Sequence, residues 1–203
     1  YRSNKKKKPP QLFSHSDQVK QWQTSVPDQI SRTGWGGRIM DRVRLDLAQQ
    51  NISPGQISMS VSIAGTNTWE VGEVVSQFKV GSGGASPFPG YNTRTADNRT
   101  NVINAILRDA AHGGDAQLNA ARLNHGIVDF RDVNERSLLN GTALTSGLAT
   151  LPANVTTAIN NAFTQANNTG LAQQLKMVAR IIAARQTLGM RRQIFFCSIG
   201  GFD

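Results

Sequence analysis

The stretch Arg191-Arg192-Gln193-Ile194-Phe195-Phe196-Cys197-Ser198-Ile199-Gly200-Gly201-Phe202-Asp203 decides the fold class. Ile194 to Ile199 is almost unbroken apolar sequence, the pattern of a central parallel strand covered by helices on both faces, so a core strand is predicted within 191–199. Gly200 and Gly201 follow at once and let the backbone turn with little steric hindrance. Asp203 then stands just past the carboxyl end of the strand, where open α/β sheets bind their ligands. A carboxylate there is placed to ligate a hard or borderline cation. The alternative is a loop aspartate that caps its own turn.

Outward from that strand, Leu171, Leu175, Val178 and Ile182 form an amphipathic helix ended by Gly189, and a helix feeding a buried strand is the αβ half of a doubly wound unit. The whole of 95–189 reads as mainly helical. Val102, Ile103, Ile106, Leu107 and Ala110 make one stripe, closed by His112 before Gly113-Gly114, where a histidine suits the helix C-terminus. A second helix or broken pair covers 115–139, with His125 read as a packed polar residue. Residues 142–151, rich in Thr, Ser and Gly, read as a loop, and Pro152 stands near the start of the next helix.

Upstream lies a small β region, 56–80. Ile57, Met59, Val61 and Ile63 alternate with Gln56, Ser58, Ser60 and Ser62, which predicts a half-buried strand, with short strands also expected at Thr68 to Val71 and Ser76 to Val80. Residues 81–94, rich in Gly and Pro, read as a loop that serves as a lid or a partner-facing arm.

The first residues, 1–10, combine a lysine run with two prolines and read as a basic surface loop. Ser16 or Asp17 caps a short helix to about Ser25, and a helix start is also an anion site that Ser14 and His15 would face together. The bland alternative is that Ser14, Ser16 and Asp17 cap the helix while His15 packs nearby. Thr33 is the expected cap of the next helix, which buries Trp35, Ile39, Val43 and Leu47 and closes at Asn51. Gly34, Gly36 and Gly37 allow close backbone approach there, to another element or to a ligand.

The 203 residues suit one domain with a proper core. The formal charge is +9, yet five of the 22 basic residues lie in the first eight positions, and without them 17 face 13 acidic ones. Such a local tail does not make a broad cationic face, so nucleic acid is not an expected partner. Cys197 is the single cysteine, which excludes an internal disulfide framework. No apolar run approaches the ~18 residues needed to cross a bilayer. P-loop, G-x-G-x-x-G, G-x-S-x-G and H-E-x-x-H patterns are absent, which removes common nucleotide, serine-hydrolase and zinc-protease readings and leaves no organic cofactor implied. Tyr1 opens without initiator Met or signal peptide and Asp203 closes the chain on its own candidate site, so 1–203 reads as a single partial domain.

Leu12-Phe13-Ser14-His15-Ser16-Asp17-Gln18, Thr33-Gly34-Trp35-Gly36-Gly37-Arg38 and the stretch from Arg192 to Asp203 together, and in this order, resemble the bacterial domain-of-unknown-function 1501 family. The resemblance implies a twin-arginine-exported, periplasmic protein with an α/β, doubly wound sheet of the alkaline-phosphatase and sulfatase type, seen here as its helix-rich N-terminal portion. It implies metal-assisted hydrolysis of a small phosphate or sulfate ester, with Asp203 as ligand of a divalent metal and Ser14 and His15 near the catalytic site. The family pattern adds a strand before Tyr1 and a His soon after Asp203, so this piece is expected to be inactive by itself. The competing expectation is a non-catalytic envelope subunit that keeps the fold and binds a protein partner.

Overall fold

The computed structural model describes residues 14–27, 29–86, 101–102, 125–164 and 169–201. The chain divides into two compact units, Tyr1–Ala85 with Ala143–Asp203, and Ser86–Thr142. In the second unit residues 101–102 and 125–142 are helical. The first carries the sheet and the candidate site.

Among the described residues five helices and three strands make a mixed α/β chain: α1 (His15–Thr24), α2 (Trp35–Gln49), β1 (Ser60–Ser62), β2 (Gln77–Lys79), α3 (His125–Ala149), α4 (Ala153–Ala162), α5 (Gly170–Ala183) and β3 (Ile194–Phe196). The strands form one sheet in the order β2-β1-β3. Both pairings are parallel, with Val61 opposite Phe78 on one side and Phe195 on the other. The ladder continues past the strand ends through Ile63 N–H to Phe196 O at 2.9 Å and Val80 N–H to Ser62 O at 2.8 Å.

β3 is parallel, as its sequence predicts, but among the described residues it is an outer strand and only half-buried. The centre belongs to β1. Ser60, Val61 and Ser62 are all 0% exposed, so the predicted half-buried strand is in fact covered on both faces. Periodicity could not show this, because Asn67, the polar partner of Ser62, comes from the following turn. That turn replaces the strand expected at Thr68 to Val71: Asn67 Oδ1 accepts Glu70 N–H at 3.0 Å and Thr68 O accepts Val71 N–H at 3.1 Å, which folds the backbone back on itself. β2 forms inside the expected Ser76 to Val80.

Ser14 caps α1, its Oγ accepting Asp17 N–H at 3.4 Å, and Ser25 ends the helix in the left-handed region with φ 54°. The cap of α2 is Gly34, not Thr33, whose carbonyl instead receives the Arg38 guanidinium at 2.9 Å. Its buried side holds Gly36, Gly37, Met40 and Leu47, while Ile39 is 51% exposed. The predicted stripe is therefore rotated. The glycines explain it, since a Cβ at Gly36 would strike the Trp69 indole and one at Gly37 the Val71 backbone. Gly37 N–H also donates to Trp69 O at 2.9 Å, and Asp41 accepts N–H bonds from Glu73, Val74 and Val75 at 2.7, 3.1 and 2.8 Å.

α3 runs on to Ala149 through most of the loop expected at 142–151. Leu144 and Gly147 face inward while Thr145 and Ser146 face solvent, so the Thr/Ser/Gly composition marks an amphipathic last turn and not a break. α5 is capped by Thr169, whose hydroxyl accepts Ala172 N–H at 3.2 Å. It buries Ala172, Met177 and Ile181 and leaves Leu175 and Ile182 43% and 45% exposed, a rotation from the predicted face. Met59, Val61, Ile63, Phe78, Leu144, Met177, Ile181 and Leu188 belong to one core cluster, each worth about 1.5–3 kcal/mol when fully buried.

Candidate groove at the start of α1

Parallel pairing sends all three strands out of the sheet at one edge, the place where such sheets take ligands. From β1 the chain turns through Gly65 into Thr66, Asn67, Thr68, Trp69 and Glu70. Glu70 is 0% exposed. Its Oε2 accepts Asn67 Nδ2–H and Gln77 Nε2–H, both at 2.8 Å, while Asn67 Nδ2 also donates to Ser62 Oγ at 3.3 Å. β1, β2 and the turn thus meet on one carboxyl group. Burial pushes the Glu70 pKa above its ordinary value of 4.5, opposed by the bonds from Gln77, Asn67 and Ser62. Burial likewise raises the pKa of the Cys197 thiol, just after β3, with the Glu70 charge adding to the shift.

The other Glu70 oxygen, Oε1, is buried without a hydrogen-bond partner among the described residues, as are Ser60 Oγ and Trp69 Nε1. Such groups cost folding free energy of about 1–3 kcal/mol each. An aromatic series leads outward from this layer: Phe196 to Trp69 at 5.9 Å, Trp69 to Trp35 at 5.1 Å, and Trp35 to Trp22 at 6.4 Å between centroids.

On the solvent side of the same turn lies a groove of about 520 Å³, lined by residues that include His15, Ser16 and Lys20 of α1, Arg32, and Thr66 to Thr68. Gln23 fixes its width, because its Oε1 on α1 accepts Thr68 N–H at 2.9 Å. Arg38 holds the entry to α2, donating to Thr24 O at 2.6 Å. Residues with basic groups (His15, Lys20, Arg32) and with hydroxyls (Ser16, Thr66, Thr68) line it along one side of α1, together with Val19 and Val71, so its wall mixes charge with apolar surface.

His15, the first residue of α1, is among the residues that line this groove. Ser14 does not: its hydroxyl bonds Ser16 Oγ at 3.0 Å and caps α1. Asp203 lies outside the described residues, as do His112 and the basic loop 1–10. The segment leading to Asp203 is held by Gln174, which accepts Ser198 N–H at 2.9 Å and donates to Ser198 O at 3.0 Å. Among the described residues no group of three or more His, Cys, Asp or Glu side chains is placed to hold a metal ion.

Sequence reasoning missed Lys20, Arg32, Asn67 and Glu70. Asn67-x-x-Glu70 was readable, since Asn followed three residues later by Glu is the reciprocal capping pattern, used here to close a turn. Lys20 and Arg32 carried no local signal, because only the fold brings them together.

The chain matches no protein-family model, no curated protein and no solved structure.

Proposed function

We propose that the chain binds the anionic group of a small phosphate or sulfate ester in the α1 groove. We infer further that it belongs with exported, periplasmic, metal-dependent hydrolases built on a doubly wound sheet of the alkaline-phosphatase and sulfatase type. The observation that carries this is the groove itself, which His15, Lys20 and Arg32 line along α1 beside the carboxyl edge of a parallel sheet. The all-parallel pairing supports the doubly wound reading, and the sequence resemblance supports the ester class and export.

In this reading Lys20 and Arg32 draw in the anion, Ser16 and the first N–H groups of α1 orient it, and His15 lies within the same groove. Asp203 is proposed as a ligand of a divalent metal that would polarise the ester oxygen. The described residues do not by themselves supply a metal's ligand set, and no step is derived through it. For Ser14 to act as nucleophile it must give up its cap, at a cost of about 1 kcal/mol. That commitment favours the second reading, a non-catalytic envelope subunit that retains the fold and its anion groove.

The test is calorimetric titration of the protein with sulfate, followed by phosphate and sulfate ester panels in Mg²⁺, Mn²⁺, Zn²⁺ and Ca²⁺. Binding that weakens in Lys20→Ala and Arg32→Ala supports the groove, and turnover supports the hydrolase. Absence of sulfate binding sinks the reading. Elemental analysis of wild type and Asp203→Ala addresses the metal: stoichiometric metal lost in the variant is expected, and equal metal in both removes Asp203 as a ligand.

A further inference from the structure

Asn67 belongs both to the groove and to the buried polar layer behind it. Every hydrogen bond of its side chain points inward. Nδ2 donates to Glu70 Oε2 at 2.8 Å and to Ser62 Oγ at 3.3 Å, and Oδ1 accepts Glu70 N–H at 3.0 Å. Its neighbours Thr66 and Thr68 line the groove, and Thr68 N–H is fixed to Gln23 on α1. Glu70 itself is not part of the groove wall. Any influence it has there passes through Asn67.

We propose that Glu70 is a positioning residue: through Asn67 it holds Thr66 to Thr68 against α1 in the shape that receives an anion. The inference rests on the anion-binding reading above and deepens it by naming a control on that site. The carboxyl faces Asn67 on its own turn, Ser62 from β1, Gln77 from β2 and Cys197 after β3. Its bonded partners Asn67 and Gln77 are neutral amides. α2, packed on the same turn, contributes Asp41, an acid already bonded to the N–H groups of Glu73 to Val75. Ionisation therefore places a desolvated charge beside amide donors that reach only one of its oxygens. The latch holds best with Glu70 protonated. It loosens as pH rises through the raised Glu70 pKa, and affinity in the groove falls with it.

Sulfate is the probe, because it keeps its charge from about pH 5 to 9, and phosphate would titrate within that range. Binding is measured by calorimetry across that range for wild type, Glu70→Gln and Asn67→Ala, with amide hydrogen exchange of residues 66–71 read alongside. Wild type is expected to lose about tenfold more affinity than Glu70→Gln toward high pH. Asn67→Ala is expected to weaken binding by roughly tenfold at every pH. Sulfate bound with the same pH profile in wild type and Glu70→Gln, and unchanged exchange, overturns the positioning role and leaves the groove reading intact. No sulfate bound by wild type, with exchange at 66–71 still pH-dependent and suppressed in Glu70→Gln, overturns the anion reading and reduces Glu70 to a structural latch.

Discussion

β1 separates two interiors of opposite chemistry. Val61 points into the cluster of Phe78, Met177, Ile181 and Leu188, while Ser60 and Ser62 point to the other face, toward Asn67, Glu70 and Gln77. Val61, Ser60, Ser62 and Glu70 are all 0% exposed, so burial does not distinguish the two sides. What each contributes does. The apolar side gains free energy with every methyl removed from water. Among the described residues the polar side holds Ser60 Oγ, Trp69 Nε1 and Glu70 Oε1 without hydrogen-bond partners and a carboxyl with a raised pKa, and a chain selected for stability alone would replace them with apolar groups. The polar side is thus where function is to be sought.

The largest expected effect lies on the apolar side. Ile181 is 0% exposed in the cluster, and Ile181→Ala removes buried carbon and leaves a cavity, at a cost of about 2–5 kcal/mol in chemical denaturation. A loss below about 1 kcal/mol would show that this side collapses easily, and the contrast between faces would lose its energetic half.

Next comes the seam between α2 and the turn. Asp41 satisfies three backbone N–H groups, and Asp41→Ala leaves them without an acceptor, at about 1–3 kcal/mol. Hydrogen exchange should show the loss first at Glu73, Val74 and Val75. Uniform loosening instead would place Asp41 in the general core.

On the polar side a substitution is expected to stabilise. The folded-state pKa of Glu70 lies above its ordinary 4.5, so the folded chain binds the extra proton between the two values. Stability from this group is fully present below about pH 4.5 and is lost as pH rises through the folded value. Glu70→Gln keeps the shape and removes the ionisation. Melting profiles across pH should therefore converge in acid and separate toward neutrality, with the variant the more stable. A variant less stable at neutral pH would mean that the charge is compensated in a way that its two amide partners do not provide.

How much of this could be read beforehand follows the same division. The apolar side was legible: alternating Ile57, Met59, Val61 and Ile63 announce a buried face, and the run from Ile194 announces a parallel strand. Helix faces came out rotated where small residues set the contact, as at Gly36 and Gly37, because hydrophobicity scales give no weight to close approach. The serine face was misread for a different reason. Alternation states which residues share a face but not what covers it, and here the cover is Asn67 and Glu70, folded back by hydrogen bonds. The groove left little trace in the sequence, since Arg32 reaches it from outside any regular element and Thr66 to Thr68 from a turn.

Arg32 gives the smallest stability effect and the sharpest test of the division between faces. It is exposed, lies between α1 and α2 in the chain, and lines the groove without belonging to the buried layer. Surface substitutions of this kind stay within about 0.5 kcal/mol of wild type, so Arg32→Ala should melt almost unchanged. Sulfate affinity should nevertheless fall several-fold, and the remaining binding should depend less steeply on salt, because one charge-assisted contact is gone. Arg32→Lys should recover the salt dependence but only part of the affinity, since an ammonium supplies the charge without the planar fork. If Arg32→Ala unfolds the chain instead, the residue holds the junction between the first two helices and the groove loses its best candidate for a purely ligand-directed group. If it melts normally and binds sulfate as well as wild type, the polar side is a structural feature with no ligand of this charge.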